Sequence, residues 1–303
     1  MASSRRINRR QFVAGGAIAT LAVASCSRES AEAPTPGLAK AEPPAEPTVV
    51  RVASVKTAVE GNVLPALIER FEQAFPYRVR LTTGTQVYDL ARDGKSDLVI
   101  SHYGHHDAEM FVLDGLGEWP RTIFSNQMAL LGPACDPANV RGLVDLGEAF
   151  SRIAQTRSKF VLNDIDSVRY LTEILWNATG RPDRTGWVID AHASKDAAIE
   201  RASELGGYTL WGLTPFLRLD GFKPLALEPL VLADPLLQRM LVSIIVKPGG
   251  PRRVNTAGAN ALQTFLLSPA TQAAIRTIRY PGKQVVSWVP AGRHNRTAIL
   301  PKV

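Results

Sequence analysis

From residue 48 to residue 278 the chain switches between short apolar runs and longer segments whose apolar residues recur every three or four positions. A period near 2, or a brief all-apolar run, marks a strand, and a period near 3.6 marks an amphipathic helix. Repeated switching of this kind is the pattern of an α/β protein with mostly parallel sheets. Thr48 to Ser54 reads as a buried strand, and Gly61 to Phe75 as a helix with Val63, Leu64, Leu67, Ile68 and Phe71 on one face. Pro76 ends that helix, since its ring and missing N–H cannot continue one. Further strands are predicted at 77–82, 97–101, 123–131, 159–162 and 208–210, with strand-like runs at 224–228 and 240–247. Helices are predicted at 85–91, 108–113, 142–156, 166–178, 195–205, 254–267 and 270–278. In open α/β sheets a ligand sits where the carboxyl ends of strands feed helix starts. Here those places are the loops 54–61, 82–85, 101–107 and 163–167.

Residues 1–47 stand outside the pattern. Arg9-Arg10 precede Gln11-Phe12, and an apolar stretch of 14 residues runs from Phe12 to Ser25. A bilayer core of roughly 30 Å needs about 20 helical residues, so the stretch suits a signal-peptide core instead. The paired arginines resemble a twin-arginine export signal. Val23-Ala24-Ser25-Cys26 resembles a bacterial lipobox, which would make Cys26 the lipidated residue and 1–26 the signal peptide. Two or more acyl chains would hold the protein durably at a membrane. Residues 27–47 contain five prolines among Ala, Glu and Ser and read as a disordered tether. The remaining cysteine, Cys135, is expected to be a buried thiol.

Charge excludes one class of partner. The formal balance is +7, but Arg5, Arg6, Arg9 and Arg10 belong to the leader; without them it is 31 basic against 28 acidic residues. No Lys/Arg cluster interleaved with aromatics stands out, so nucleic acid is not an expected partner. Two cysteines exclude a disulfide scaffold. A Gly-rich phosphate fingerprint, a Gly-x-Ser-x-Gly elbow and a His-Glu-x-x-His motif are all missing from the sequence.

A set of landmarks recurs in order along the chain. They are Val63–Glu72, Thr82-Thr83-Gly84-Thr85, Gly94–Ile100 with His102, Asn126 to Pro133, Asp136-Pro137-Ala138, Gly207-Tyr208-Thr209-Leu210 and Leu266-Leu267-Ser268-Pro269. With these, the chain from about 48 to 290 resembles the tungstate-binding solute receptors of ABC uptake systems, relatives of the molybdate-binding proteins. The resemblance implies a two-lobed periplasmic binding-protein fold with a mostly parallel sheet in each lobe. It places the first lobe at 48–132, the second at 133–238, and the first lobe's remainder with the tail at 239–303. It further implies an exported monomer, anchored in the periplasm by its lipid, that hands an oxyanion to an ABC permease without cofactor or catalysis.

Capturing a tetrahedral dianion takes hydroxyl and backbone N–H donors with little full charge. By resemblance, Thr57 and the neighbouring Ser54 and Lys56 form the first ligand loop, and Thr83, Gly84 and Thr85 the second, with Gly84 at the family's hydroxyl position. His102 ends the third strand, and Arg121 falls at a cleft arginine. In the third loop Asp164 matches a family acid, and Ser167 is expected to cap helix 166–178. That loop also departs from the family. Its arginine position is Leu162, its Ser position Asp166 and its Thr position Val168. A carboxylate beside a dianion costs about 1–4 kcal/mol at about 4 Å, so Asp166 leaves the ligand open, with Arg169 one turn away as a possible offset.

The alternative reading is a transition-metal-binding protein or metal-dependent enzyme. His102, His105 and His106 lie within five residues, beside Asp107 and Glu109. Imidazoles with carboxylates suit Zn, Ni or Cu. A receptor for some other solute is the remaining alternative.

Overall fold

A computed structural model describes residues 48–104, 106–249 and 253–291. The leader, Cys26, the tether, His105 and the tail from 292 lie outside the described residues. β1 (Thr48–Ser54) is followed by a one-turn helix α1 (Thr57–Glu60) and by α2 (Val63–Ala74). The sequence pattern places residues 54–61 in a loop and a helix at 61–75, and so misses the single turn α1 ahead of α2. Asn62 at φ 65° separates them, a left-handed conformation that Asn tolerates better than most residues. The predicted face of α2 is buried through Val63, Leu64, Leu67 and Phe71. Next come β2 (Tyr77–Thr83), α3 (Val87–Arg92), β3 (Leu98–His102), α4 (His106–Leu113) and β4 (Arg121–Gly132). Then follow α5 (Leu146–Thr156), β5 (Phe160–Val161), α6 (Asp166–Ala178), β6 (Val188–Ile189), α7 (Asp196–Leu205), β7 (Thr209–Gly212), α8 (Leu213–Phe222) and β8 (Glu228–Val231). β9 (Gln238–Ile245), α9 (Thr256–Leu267), α10 (Pro269–Ile275) and β10 (Trp288–Pro290) end the described chain.

The main sheet runs β10-β4-β9-β3-β1-β2, with β7 and β8 paired to the far end of β4. β1, β2 and β3 are parallel, and β9 and β4 run antiparallel beside them. β5 and β6 form a small parallel pair. β4 serves both lobes: its first part pairs with β9 and its last part with β7 and β8.

Each lobe has a core on both sheet faces. In the first, Val52, Leu67, Phe71, Ile100, Leu241 and Trp288 pack on one face, and Val87, Tyr88, Val99, Phe111 and Ile244 on the other. The second lobe divides β4 by the two-residue period of a strand. Met128 and Leu130 enter a core with Phe150, Phe160 and Trp176, while Ala129 and Leu131 enter one with Val161, Ile199 and Phe216. Trp176 is core and meets Phe150, Phe160 and Trp187.

The chain returns to the first lobe through 231–238, where buried Asp234 accepts bonds from the N–H groups of Leu146 (2.7 Å) and Leu236 (2.8 Å). A further connection is visible only in three dimensions. Tyr280 and Val285 pack against the second lobe's Ala129 core, and Lys283 pairs with Asp220 at 3.1 Å.

Some elements escaped the sequence pattern. α8 carries Pro215 and Gly221, residues that read as breakers, but a proline in a helix's first turn removes no internal bond. The run at 224–228 begins its strand only at Glu228. β6 and β10 have two and three residues, too few to show a period. Helix α5 starts at Leu146, four residues after the predicted start, because the Asp145 carboxylate caps it by accepting from Glu148 N–H at 3.0 Å. Cys135 is exposed rather than buried. It sits in the turn after β4 where Asp136 and Asn139 take positive φ, and turns stay at the surface.

Candidate functional site

Two cavities are lined by residues that the sequence analysis placed in ligand loops. The first, about 620 Å³, is lined by Lys56, Thr57, Ser194, Lys195, Trp211 and Arg218 among others. Lys56 precedes α1 and its side chain makes no cap bond. Arg218 is committed to Asp196 at 2.5 Å, a bond that raises its pKa. Lys56 and Lys195 are exposed and form no ion pair among the described residues. One cation comes from each lobe.

Lys195 is held in place by its backbone. Its φ of 54° and ψ of −128° lie in a region that favours glycine; such strain costs of order 1–3 kcal/mol and persists only where neighbours impose it. Here the buried Asn163 imposes it. The Asn163 Oδ1 accepts from Lys195 N–H at 3.0 Å, and Asp164 N–H donates to the Ala193 carbonyl at 2.8 Å. The third sequence loop therefore acts through its neighbour: Leu162, at the family's arginine position, is buried, and the charge beside that cavity comes from Lys195.

The second cavity, about 670 Å³, is lined by His102, Ser167 and Arg239 together with carbon-rich side chains. Arg239, on β9 opposite Asn126, is half-buried and donates to Ser167 Oγ at 3.0 Å. Burial alone pulls its pKa below the ordinary value. No carboxylate lies within ion-pair distance of it among the described residues.

The sequence-derived set thus divides. Lys56 and Thr57 line one cavity; His102 and Ser167 line the other. Ser54 is buried beneath the loops, where its hydroxyl donates to the Val55 carbonyl at 3.1 Å and its own carbonyl accepts from Gly84 N–H at 3.1 Å. Thr83 and Thr85 are exposed at the end of β2 and, with Gly84, line neither cavity. A Cβ added to Gly84 would meet nothing nearer than Gln86 N at 3.9 Å, so the backbone does not forbid a hydroxyl-bearing residue there. Arg121 is exposed at the start of β4, level with Ser243, and lines neither cavity. Asp164 is bound by Arg169 at 2.8 Å, and the same guanidinium reaches Asp190 at 2.6 Å. Arg169 therefore answers those two acids and not Asp166. Ser167 does not cap α6, whose cap position is Ile165 with no side-chain bond; its hydroxyl goes to Arg239. Arg239 is the residue that sequence reasoning missed. Its signal was a single basic residue between two apolar runs, Leu236-Leu237 and Met240 to Ile245.

Of the histidine loop, His106 is exposed at the start of α4, and His105 lies outside the described residues. Among the described residues no group of three or more His, Cys, Asp or Glu side chains could hold a metal ion. Nor is any described helix long and apolar enough to cross a membrane.

An ABC transporter anion-binding protein of Haloferax volcanii is 29% identical over 240 residues, covering 77% of this chain and 70% of that one. The chain is similar over most of its length to that protein. The tungstate-binding protein TupA of Peptoclostridium acidaminophilum is 24% identical over 229 residues, 74% of this chain and 79% of that protein. The solved tungstate-binding protein TupA of Desulfovibrio alaskensis G20 matches the fold with a TM-score of 0.66 at 23% identity, over 80% of this chain and 98% of its own. No family model matches the chain.

Proposed function

We propose that this protein is an extracytoplasmic receptor of an ABC-type uptake system that captures a small oxyanion between its lobes. The observation that carries this reading is the meeting of Lys56 and Thr57 from the first lobe with Ser194 and Lys195 from the second around one cavity. Two ammonium groups without an ion pair among the described residues and two hydroxyls offer donors that outnumber the Glu60 carboxylate on the same lining, so an anion bound among them lowers the energy of the closed arrangement. Two relatives, named as anion-binding and tungstate-binding proteins, agree in ligand class. Tungstate and molybdate are the first ligands to try. Nothing in the reading calls for catalysis: closure is the whole mechanism, and the protein acts as a monomer, tethered through Cys26 and residues 27–47. The lobes are assigned as 48–132 with 239–291, and 133–238.

The test is calorimetric titration of the purified protein with tungstate, molybdate, sulfate and phosphate. One of these binds the wild type, and Lys56→Ala and Lys195→Ala each weaken that binding at least tenfold, about 1.4 kcal/mol, with melting temperature unchanged. Absence of binding by all four, or unaltered affinity in both variants, would overturn the reading.

A further inference from the structure

The second cavity differs in chemistry from the first. Its cation is Arg239, half-buried and partnered by a single hydroxyl. Its walls are mostly carbon: Met128, Leu171, Ile174, Leu236 and Met240. Ile174 is 42% exposed, Leu236 41% and Tyr170, at the same cavity, 71%, so apolar surface is left uncovered in the cavity that holds the guanidinium. A desolvated charge without a counter-ion is unfavourable in a folded protein unless something pairs with it. An inorganic dianion is a poor match, because most of its oxygens would face methyl and methylene groups and lose their hydrogen bonds. Ligand sites that pair one charged group with an apolar wall suit molecules built the same way.

We propose that the Arg239 cavity is a second binding site, which takes a small organic monocarboxylate with an apolar body. The carboxylate accepts two bonds from the guanidinium, in the fork geometry that arginine provides. The Ser167 hydroxyl, already accepting from Arg239, has its own proton left to donate. The hydrocarbon part lies against Leu236, Ile174 and Met128. The lining joins His102 of β3 and Arg239 of β9 to Ser167 and Ile174 of α6, so such a ligand touches both lobes. This site stands apart from the oxyanion cavity, whose lining shares none of these residues.

The experiment is calorimetric titration of the purified protein with benzoate, isovalerate and succinate, alongside tungstate and molybdate. Benzoate or isovalerate binds, succinate binds at least tenfold more weakly, and Arg239→Gln lowers the monocarboxylate affinity at least tenfold. Leu236→Asp, at the exposed rim, does the same without a change in fold by circular dichroism. Neither substitution alters oxyanion affinity. Monocarboxylates that fail to bind the folded wild type overturn the proposal, whether or not tungstate binds. Tungstate affinity that falls with Arg239→Gln overturns it too, by making the arginine part of the oxyanion site. Monocarboxylate binding without any oxyanion binding supports this site and removes the other reading.

Discussion

At the scale of single residues, the sequence landmarks turn out to be hydrogen-bonding nodes. The fully buried Asp97 accepts from the Arg51 backbone N–H at 2.7 Å, from its guanidinium at 2.5 and 3.1 Å, and from Asn255 N–H at 2.9 Å. Arg51 also donates to the Gly94 carbonyl at 2.5 Å. One carboxylate therefore ties β1, the turn before β3 and the cap of α9 together. That explains why a Gly-x-x-Asp pattern opens the third strand. Removing one member of a buried pair costs about 3–5 kcal/mol; with Arg51 29% exposed, the lower end applies. Asp97→Ala should lower unfolding free energy by about 3 kcal/mol in urea denaturation, and a change below about 1 kcal/mol would mean that the node is redundant. Landmarks of this kind were legible because their chemistry is local. Arg239 was not, since its partner Ser167 is 72 positions away and nothing in the surrounding letters points there.

At the scale of elements, three of the landmarks meet at one ring. The Tyr208 hydroxyl donates to Asp136 Oδ1 at 2.7 Å and accepts from Ala138 N–H at 2.9 Å. Burial pushes its pKa up, so it stays a neutral donor. A Cβ on Gly132 would come within 2.5 Å of the same ring. The Gly-Pro at the end of β4, the Asp-Pro-Ala turn and the Tyr-Thr-Leu strand are thus parts of a single joint that fixes the start of the second lobe. Tyr208→Phe orphans a buried N–H and should cost about 1–3 kcal/mol, read as a lowered urea midpoint with an unchanged slope. An unchanged midpoint would show that the joint is held by packing alone. Strand and helix identities followed from periodicity wherever an element was long enough to show one. Those that escaped were very short, like β6 and β10, or carried residues normally read as stops, like α8. The one-turn helix α1 has four residues, too few for side-chain patterning to mark it within a loop.

At the scale of the whole molecule, the lobes share β4, the return through 231–238 and the contact of residues 280–285 with the second lobe. Lys56 and Lys195 line one cavity together with Glu60 and Asp196; on the proposed reading a dianion bound there would draw the two ammonium groups together. Sequence resemblance reached the two-lobed architecture. It could not reach the separation of a polar cavity from a more apolar one, because that depends on which distant loops come together in space. Small-angle X-ray scattering reads closure directly. With saturating amounts of whichever oxyanion binds by calorimetry, the wild-type radius of gyration should contract, and Lys195→Ala at the same concentration should remain at the ligand-free value. A wild-type radius that does not change at full occupancy would contradict capture by closure of the lobes.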